Sequence, residues 1–260
     1  MRVACLQMDV AWEDRASNHA GARALLRDAD LPPGSLAVLP EMFATGFSMD
    51  AGRAAEAPGG ETERFLAEAA RERGIVLLAG VASRGADGRA RNEAVAVSPE
   101  GAVLARYAKL HPFSPAGEDR HYVAGDGISL FPWGGFAVAP FLCYDLRFPE
   151  AFRAAARRGA TLLAVLASWP VDRIDHWFTL LMARAIENQA YVVGVNRCGR
   201  SPEHVYPGRS LIIDPLGRVL EAAGYREGVI SADLDPAVVS DWRREFPAIE
   251  DMRRDLSGPL

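Results

Sequence analysis

The sequence lacks the marks of several large protein classes. It holds three cysteines in 260 residues, Cys5, Cys143 and Cys198. An odd number without framework spacing excludes a disulfide scaffold and predicts a reducing compartment. No Cys-x-x-Cys occurs, and His19, His111, His121, His176 and His204 form no pair at metal-ligand spacing. Zinc is therefore not expected, nor is any other metal or cofactor. No apolar run approaches the ~18 residues of a spanning helix, so no membrane is expected. MRVACLQMDV opens directly as a strand, with no charged leader before an apolar stretch, which predicts no signal peptide and a cytoplasmic protein. The net charge of −5 is spread over interspersed charges of both signs. It leaves no basic footprint for nucleic acid and no charged tail. The G-x-S-x-G elbow and the Walker-type loop are absent, and AGDGIS has two glycines without phosphate-loop spacing.

What is present is a core: 49% of the residues are hydrophobic. Residues 2–9 read as a strand. A helix follows near 18–29, capped by Ser17 or Asn18, with Ala22, Leu25, Leu26 and Ala29 at helical spacing. LAVLPE (36–41) is a short buried strand. GGETERFLAEAARERG (59–74) is a helix that Gly74 stops, and IVLLAGVAS is another buried strand. RNEAVAVSPEGAVLARY (91–107) reads as two strands around a Pro-x-Gly turn. A polar loop covers about 110–127, and two further strands flank Gly134-Gly135. A helix starts near Pro149. TLLAVLAS (161–168) and AYVVGVNR are buried strands, and the helix between them (175–190) is apolar on most sides, which predicts deep packing. VSPEGAVLAR and IDPLGRVLEA share strand–Pro–x–Gly–strand, an echo compatible with two similar halves or with convergent turn chemistry. The order of elements gives an α/β chain with two facing sheets and helices outside. The tail from about residue 242 either wraps a partner subunit or frays.

PFLCYDLRFPE (140–150) places Cys143 where a buried strand ends and a helix is about to begin. Free cysteines usually behave as small buried hydrophobes, and Cys5 and Cys198 are read that way. Cys143 differs in position. Ligands collect at strand C-termini in α/β layers, and amides at a helix start face negative charge. Such surroundings favour a thiolate. On these residues alone, nucleophile and buried thiol stand level. A nucleophile needs a base. Glu41 ends LAVLP beside Met42, Phe43 and Phe47, where exclusion of water would raise a carboxylate toward a base's range; the alternative is a solvated strand cap. Lys109 in RYAKLHPF is the candidate cation, and its ordinary alternative is a surface lysine.

PEMFATGF with Glu41, RYAKLHPF with Lys109 and FLCYDLRFPE with Cys143 resemble, in order and separation, the Glu-Lys-Cys triad of the nitrilase superfamily of carbon–nitrogen hydrolases. The resemblance continues through SWP (168–170), HWFTLLMARAIENQAYVVGVNR (176–197) and SLIIDPLGRVL, and so covers essentially the whole chain. PEMF, CYDLRFPE and SWP are most similar to the omega-amidase branch, which hydrolyses the terminal amide of 2-oxo acid amides such as 2-oxoglutaramate and 2-oxosuccinamate. The resemblance implies a four-layer α-β-β-α sandwich, two mixed sheets face to face, in one domain over residues 1–260. It implies a homodimer or larger homo-oligomer formed through the outer helices, with the segment from about 242 crossing to a partner. It also implies a small-molecule amide as substrate and no cofactor.

The resemblance further implies roles. Cys143 attacks the amide carbon and Glu41 moves the proton, while Lys109 and the backbone N–H of Tyr144 face the oxyanion. Glu118, nine residues after Lys109, matches the family's second glutamate and would hold Lys109; its alternative is a solvated loop carboxylate. Arg147 suits a substrate carboxylate through its guanidinium fork, or pairs with Glu150 or another acid. Trp169 walls the pocket or belongs to the core, and Phe43 is placed with these two at the substrate. Arg184 and Glu187 pair along one helix face, Glu187 as scaffold. Two rival readings remain. One is an N-carbamoyl amino acid amidohydrolase with the same triad. The other is a non-catalytic binding or scaffolding subunit, against which all three triad positions argue.

Overall fold

A computed structural model of the chain describes residues 1–253. The last part of the tail expected to reach a partner, 254–260, lies outside the described residues. Along the chain, β1 (Arg2–Gln7) leads through α1 (Arg15–Asp28) to β2 (Leu36–Val38). The short α2 (Ala51–Ala54) and α3 (Glu61–Arg73) lead to β3 (Val76–Arg84), and a meander through β4 (Ala90–Val97) and β5 (Val103–Ala108) ends the first half. The second half runs β6 (Phe131–Trp133), β7 (Phe136–Leu142), α4 (Pro149–Arg157), β8 (Leu162–Ala167), α5 (Ile174–Asn188) and β9 (Tyr191–Asn196). A ribbon of β10 (Cys198–Arg200) and β11 (Val205–Pro207), a hairpin of β12 (Leu211–Ile213) and β13 (Val219–Ala222), then β14 (Gly228–Asp233) and α6 (Pro236–Glu245) complete it.

Two six-stranded sheets result, in the orders β14-β1-β2-β3-β4-β5 and β13-β12-β9-β8-β7-β6. Each has three parallel strands at its centre, β1-β2-β3 and β7-β8-β9, and antiparallel strands at its edges. The echo noted in the sequence occupies equivalent places. β4–β5 and β12–β13 are the corresponding hairpins, and each shifts register at the matching point, Ala96/Val97 and Ile212/Ile213. β14 returns to pair with β1 across the full strand, which ties the two halves together.

Strand parity builds the layers, because successive side chains point to opposite faces. Val3, Cys5, Leu36, Val38, Val76 and Leu78 fall in the core shared with Val138, Leu163 and Val193 of the second sheet. Their neighbours Ala4, Leu6, Ala37, Leu39, Leu77 and Ala79 pack with Ala22, Leu26, Leu66 and Ala70 of α1 and α3. The outcome is the expected α/β sandwich. Among the described residues no helix is long and apolar enough to cross a membrane.

Two helix expectations are corrected. α1 starts earlier than expected: Asp14 is its cap, accepting the Ser17 amide at 3.0 Å and the Ser17 hydroxyl at 2.7 Å. Asn18 lies inside the helix and bonds the carbonyls of Ala11 and Ala44. α5 is not deeply packed on most sides. Trp177, Leu181 and Ala185 are buried, but Ile186 is 54% exposed and Phe178, Leu180 and Met182 are half-buried. Elsewhere the boundaries follow the expected signals. Gly74 closes α3 at φ +65°, and Pro149 opens α4.

Candidate active site

The parallel strands of both sheets end near one cleft, where α/β folds place their ligands. β2 ends at Val38, and Leu39-Pro40 carry the chain into a turn that begins at Glu41. Met42 takes φ +45°, and the amides of Thr45 and Gly46 both bond its carbonyl, so the chain reverses sharply. β3 passes directly beneath. A β-carbon on Gly80 would stand 2.5 Å from the Glu41 Cα, so only glycine permits this approach.

Glu41 is fully buried, and so is Glu118, in a short 3₁₀ turn (Glu118–Arg120) of the polar loop. Lys109 lies between them at 1% exposure, not at the surface. Its ammonium donates to Glu41 Oε1 at 2.8 Å and to Glu118 Oε2 at 2.8 Å. Asn92 Nδ2 bridges the same two carboxylates at 2.8 Å each. The Ser168 amide donates to Glu41 Oε2 at 3.0 Å, and the Phe113 amide to Glu118 Oε2 at 2.6 Å. Buried charges persist only when paired and hydrogen-bonded, and each oxygen here has a donor.

Cys143 follows β7 and opens a 3₁₀ turn, Cys143–Arg147, that runs into α4. Its φ of +40° is left-handed, an uncommon and costly choice for a residue with a β-carbon. Asp145 braces this turn. It is fully buried and accepts the Leu142 amide at 3.1 Å, the Tyr107 hydroxyl at 2.7 Å, and the His111 amide and Nδ1 at 2.9 and 2.8 Å. Tyr107 and His111 flank Lys109, so one carboxylate fixes the ammonium's strand to the thiol's turn. Cys143 is partly buried as a residue, and its Sγ is 3.9 Å from the Ser168 carbonyl oxygen.

Burial sets the electrostatics. It raises the Glu41 carboxyl above its ordinary range, as does the charge of Glu118, against the opposing pull of Lys109 and Asn92. Burial opposes the Lys109 ammonium, but the charges of Glu41 and Glu118 outweigh it and hold its pKa above the usual lysine. Burial and the Glu41 charge push the Cys143 thiol well up, and Lys109 only partly offsets them. Both effects disfavour the thiolate form of Cys143.

The cleft encloses about 450 Å³ of atom-free space open to solvent. Glu41, Cys143, Tyr144, Arg147, Ser168 and Trp169 all line it. Tyr144 is the second residue of the 3₁₀ turn, and the first amides of such a turn have no carbonyl acceptor within it. Arg147 does not pair with Glu150. Its Cζ lies 4.8 Å over the Trp169 ring and its Nη2 donates to His176 Nδ1 at 3.2 Å. Trp169 is both core and wall: 2% exposed, yet in the lining.

Phe43 is a correction. It is fully buried on the helix side of the sheet, against His19 and Phe65, and takes no part in the cleft. The reversal at Met42 sends its side chain outward and brings Phe47 inward, 5.1 Å from the Lys109 ammonium. Arg184 and Glu187 do pair, at 2.9 Å, and Arg184 also donates to the Leu146 carbonyl at 2.6 Å, propping the Cys143–Arg147 turn from α5.

Sequence reasoning missed Asn92, Asp145, Ser168 and the cleft residues Arg173, His204 and Tyr206. Asn92 had a signal, since it shares the parity of Ala94 and Ala96, which face the inter-sheet core. Among the described residues, no group of three or more His, Cys, Asp or Glu side chains could hold a metal.

Residues 2–244 match the family model described as carbon-nitrogen hydrolase. The chain is 33% identical over 255 residues to a 2-oxoglutaramate amidase of Bacillus subtilis (strain 168), with 98% of each chain covered. It is 38% identical over 258 residues to omega-amidase YafV of Yersinia enterocolitica, again with 98% of each covered. Among solved structures, it superposes with TM-score 0.91 and 32% identity on XC1258 from Xanthomonas campestris, covering 100% of this chain and 98% of that one. That protein is described as a CN-hydrolase superfamily member with an arsenic adduct in the active site.

Proposed function

The chain belongs to the carbon-nitrogen hydrolase family and is an amidase, and we propose that it hydrolyses the terminal amide of a small 2-oxo acid through Cys143. One observation carries the reading. An ammonium is clamped at 2.8 Å between two buried carboxylates, and one of the two, Glu41, lines the same cleft as Cys143. A scaffold has no use for this arrangement, because buried ion clusters gain little stability over apolar packing.

Cys143 Sγ attacks the amide carbon, and its proton passes to Glu41. The oxyanion forms against the Lys109 ammonium and the Tyr144 amide, donors held in place before charge develops. Glu41 returns the proton to the amide nitrogen, the C–N bond breaks, and ammonia leaves a thioester on Cys143. Water then attacks the thioester carbon, giving its proton to Glu41. The C–S bond breaks, the acid departs, and Glu41 reprotonates the sulfur. Two moderate barriers replace one high barrier. Glu118 keeps Lys109 in position, and Arg147 receives the substrate's carboxylate.

The relatives' names supply the substrate class, 2-oxoglutaramate and other omega-amides. The cleft supports it: among the described residues Glu41 is the one carboxylate in its lining, with Arg147 and Arg173 alongside. Ile186 of α5, which lies against Gly217 of the β12–β13 hairpin, is exposed together with that hairpin's Leu216, Val219 and Leu220, which supports assembly with further copies. Three free cysteines support the cytoplasm as its compartment, and the shared core supports a single domain.

Ammonia release from 2-oxosuccinamate tests the assignment. Cys143→Ala should fold and release none. Turnover retained by that variant would remove Cys143 as nucleophile, and carbon dioxide appearing with the ammonia from a carbamoyl substrate would favour the amidohydrolase.

A further inference from the structure

We propose that Arg173 is a second receptor for the substrate's anionic end, acting with Arg147 in the lining of the same cleft. This rests on the amidase reading above and names the chemistry of its substrate, an amide whose far end carries a carboxylate.

Arg173 ends a 3₁₀ turn, Val171–Arg173, that opens α5. Its backbone is fixed, because the Trp169 indole N–H donates to its carbonyl at 2.7 Å. Its side chain is half-buried, lines the cleft, and holds its guanidinium 5.6 Å over the Phe113 ring. No carboxylate lies within ion-pair distance of it among the described residues. Arg147 is in the same condition: it rests on an aromatic face and spends one donor on a histidine.

A guanidinium carries five donors and no acceptor. Two of them facing one cleft, each mounted on an aromatic ring, leave most of their donors unspent. Glu41 cannot neutralise them, since Lys109, Asn92 and the Ser168 amide already occupy its oxygens. The cleft therefore has a spent anion at its floor and unspent cations on its walls. A 2-oxo acid amide matches this polarity: its neutral amide goes to Cys143, and its carboxylate goes between the two guanidinium groups. Arg147 follows the nucleophile by four residues and Arg173 follows Ser168 by five. The segments that carry the thiol and the Ser168 amide bonded to Glu41 thus also carry the two guanidinium groups.

The test compares ammonia release from 2-oxosuccinamate and from neutral butyramide, of equal carbon count, in the wild-type enzyme and Arg173→Gln. Hydrogen bonds to charged groups predict that the ratio of kcat/KM, acid amide over neutral amide, falls about ten- to a hundredfold, mostly through KM. Calorimetry in a Cys143→Ala background gives a second readout: adding Arg173→Gln should weaken 2-oxosuccinamate binding by a similar factor. A ratio within about twofold of wild type, or equal losses on both amides, overturns the proposal for Arg173 and leaves the amidase reading standing. A wild-type enzyme that releases ammonia from neither amide overturns the reading beneath it.

Discussion

The Tyr107 hydroxyl donates to Asp145 Oδ2 at 2.7 Å, and this bond joins the strand that carries Lys109 to the turn that carries Cys143. Both residues are buried, and among the described residues no lysine or arginine lies within ion-pair distance of Asp145. Its charge is held by four hydrogen bonds, two of them from His111. Removing one donor leaves that charge short of a partner in a dry site. Tyr107→Phe should therefore lower unfolding free energy by about 1.5–3 kcal/mol, the usual loss for a bond to a charged group. Urea unfolding at unchanged slope measures it. A loss under about 0.5 kcal/mol, within the range of an ordinary surface change, would show that the clamp carries no load.

Asn92 acts on the proposed base rather than on the fold alone. Burial raises the Glu41 pKa, and the hydrogen bond from Asn92 helps to hold it down. Asn92→Ala removes that restraint, so the carboxyl climbs further. The acid limb of the kcat/KM profile should then move to higher pH, and activity below neutrality should fall more than activity above it. Loss of one charge-assisted bond predicts a drop of about tenfold or more on the acid side. A profile that falls equally at every pH would make Asn92 a packing residue only.

Much of this architecture is legible in the residues. The alternation of Val3, Cys5, Leu36 and Val38 with Ala4, Leu6, Ala37 and Leu39 assigns each to a layer because the side-chain period of a strand is two. Pro149 and Gly74 mark helix ends through their own backbone preferences. Phe43 and Phe47 could not be told apart, because the turn between them depends on a left-handed methionine, a conformation that composition does not announce. The left-handed backbone of Cys143 is hidden for the same reason. Asp145 carries no local signal because its partners lie 34 and 38 residues earlier. α5 misled in a different way. Phe178, Leu180, Met182 and Ile186 look like full core, but the first three are only half-buried against it and Ile186 is exposed.

Gly80 is a site residue without a side chain. The nearest atoms to a β-carbon there are backbone: Glu41 Cα at 2.5 Å, the Pro40 carbonyl oxygen at 2.7 Å and the Met42 nitrogen at 2.8 Å. Two hydrogen bonds, Gly80 N to Pro40 O and Phe43 N to Gly80 O, pin the segments together. Gly80→Ala must push Glu41 off its position, since no flexible side chain can yield instead. Overpacking of this kind costs about 1–3 kcal/mol, and a displacement near 1 Å at a reacting group can slow turnover on the order of a hundredfold. Thermal unfolding and ammonia release, measured together, check both. Wild-type turnover from this variant would mean that the Glu41 backbone is free to adjust.

The charges around Cys143 predict a divergence between turnover and thiol reactivity. The Glu41 charge is among the causes that raise the thiol's pKa, and the Lys109 charge lowers it. Glu41→Gln removes the first and leaves the second less neutralised, so the thiol's pKa should fall. Alkylation by iodoacetamide follows the thiolate fraction. In the wild-type enzyme its rate should keep rising with pH beyond neutrality, without a plateau near pH 7. In Glu41→Gln the rate at neutral pH should increase severalfold, while ammonia release falls on the order of a hundredfold or more, since the base is gone. A variant that loses both activities together would show that Glu41 generates the thiolate in the resting enzyme, and the proton transfer would then precede substrate binding.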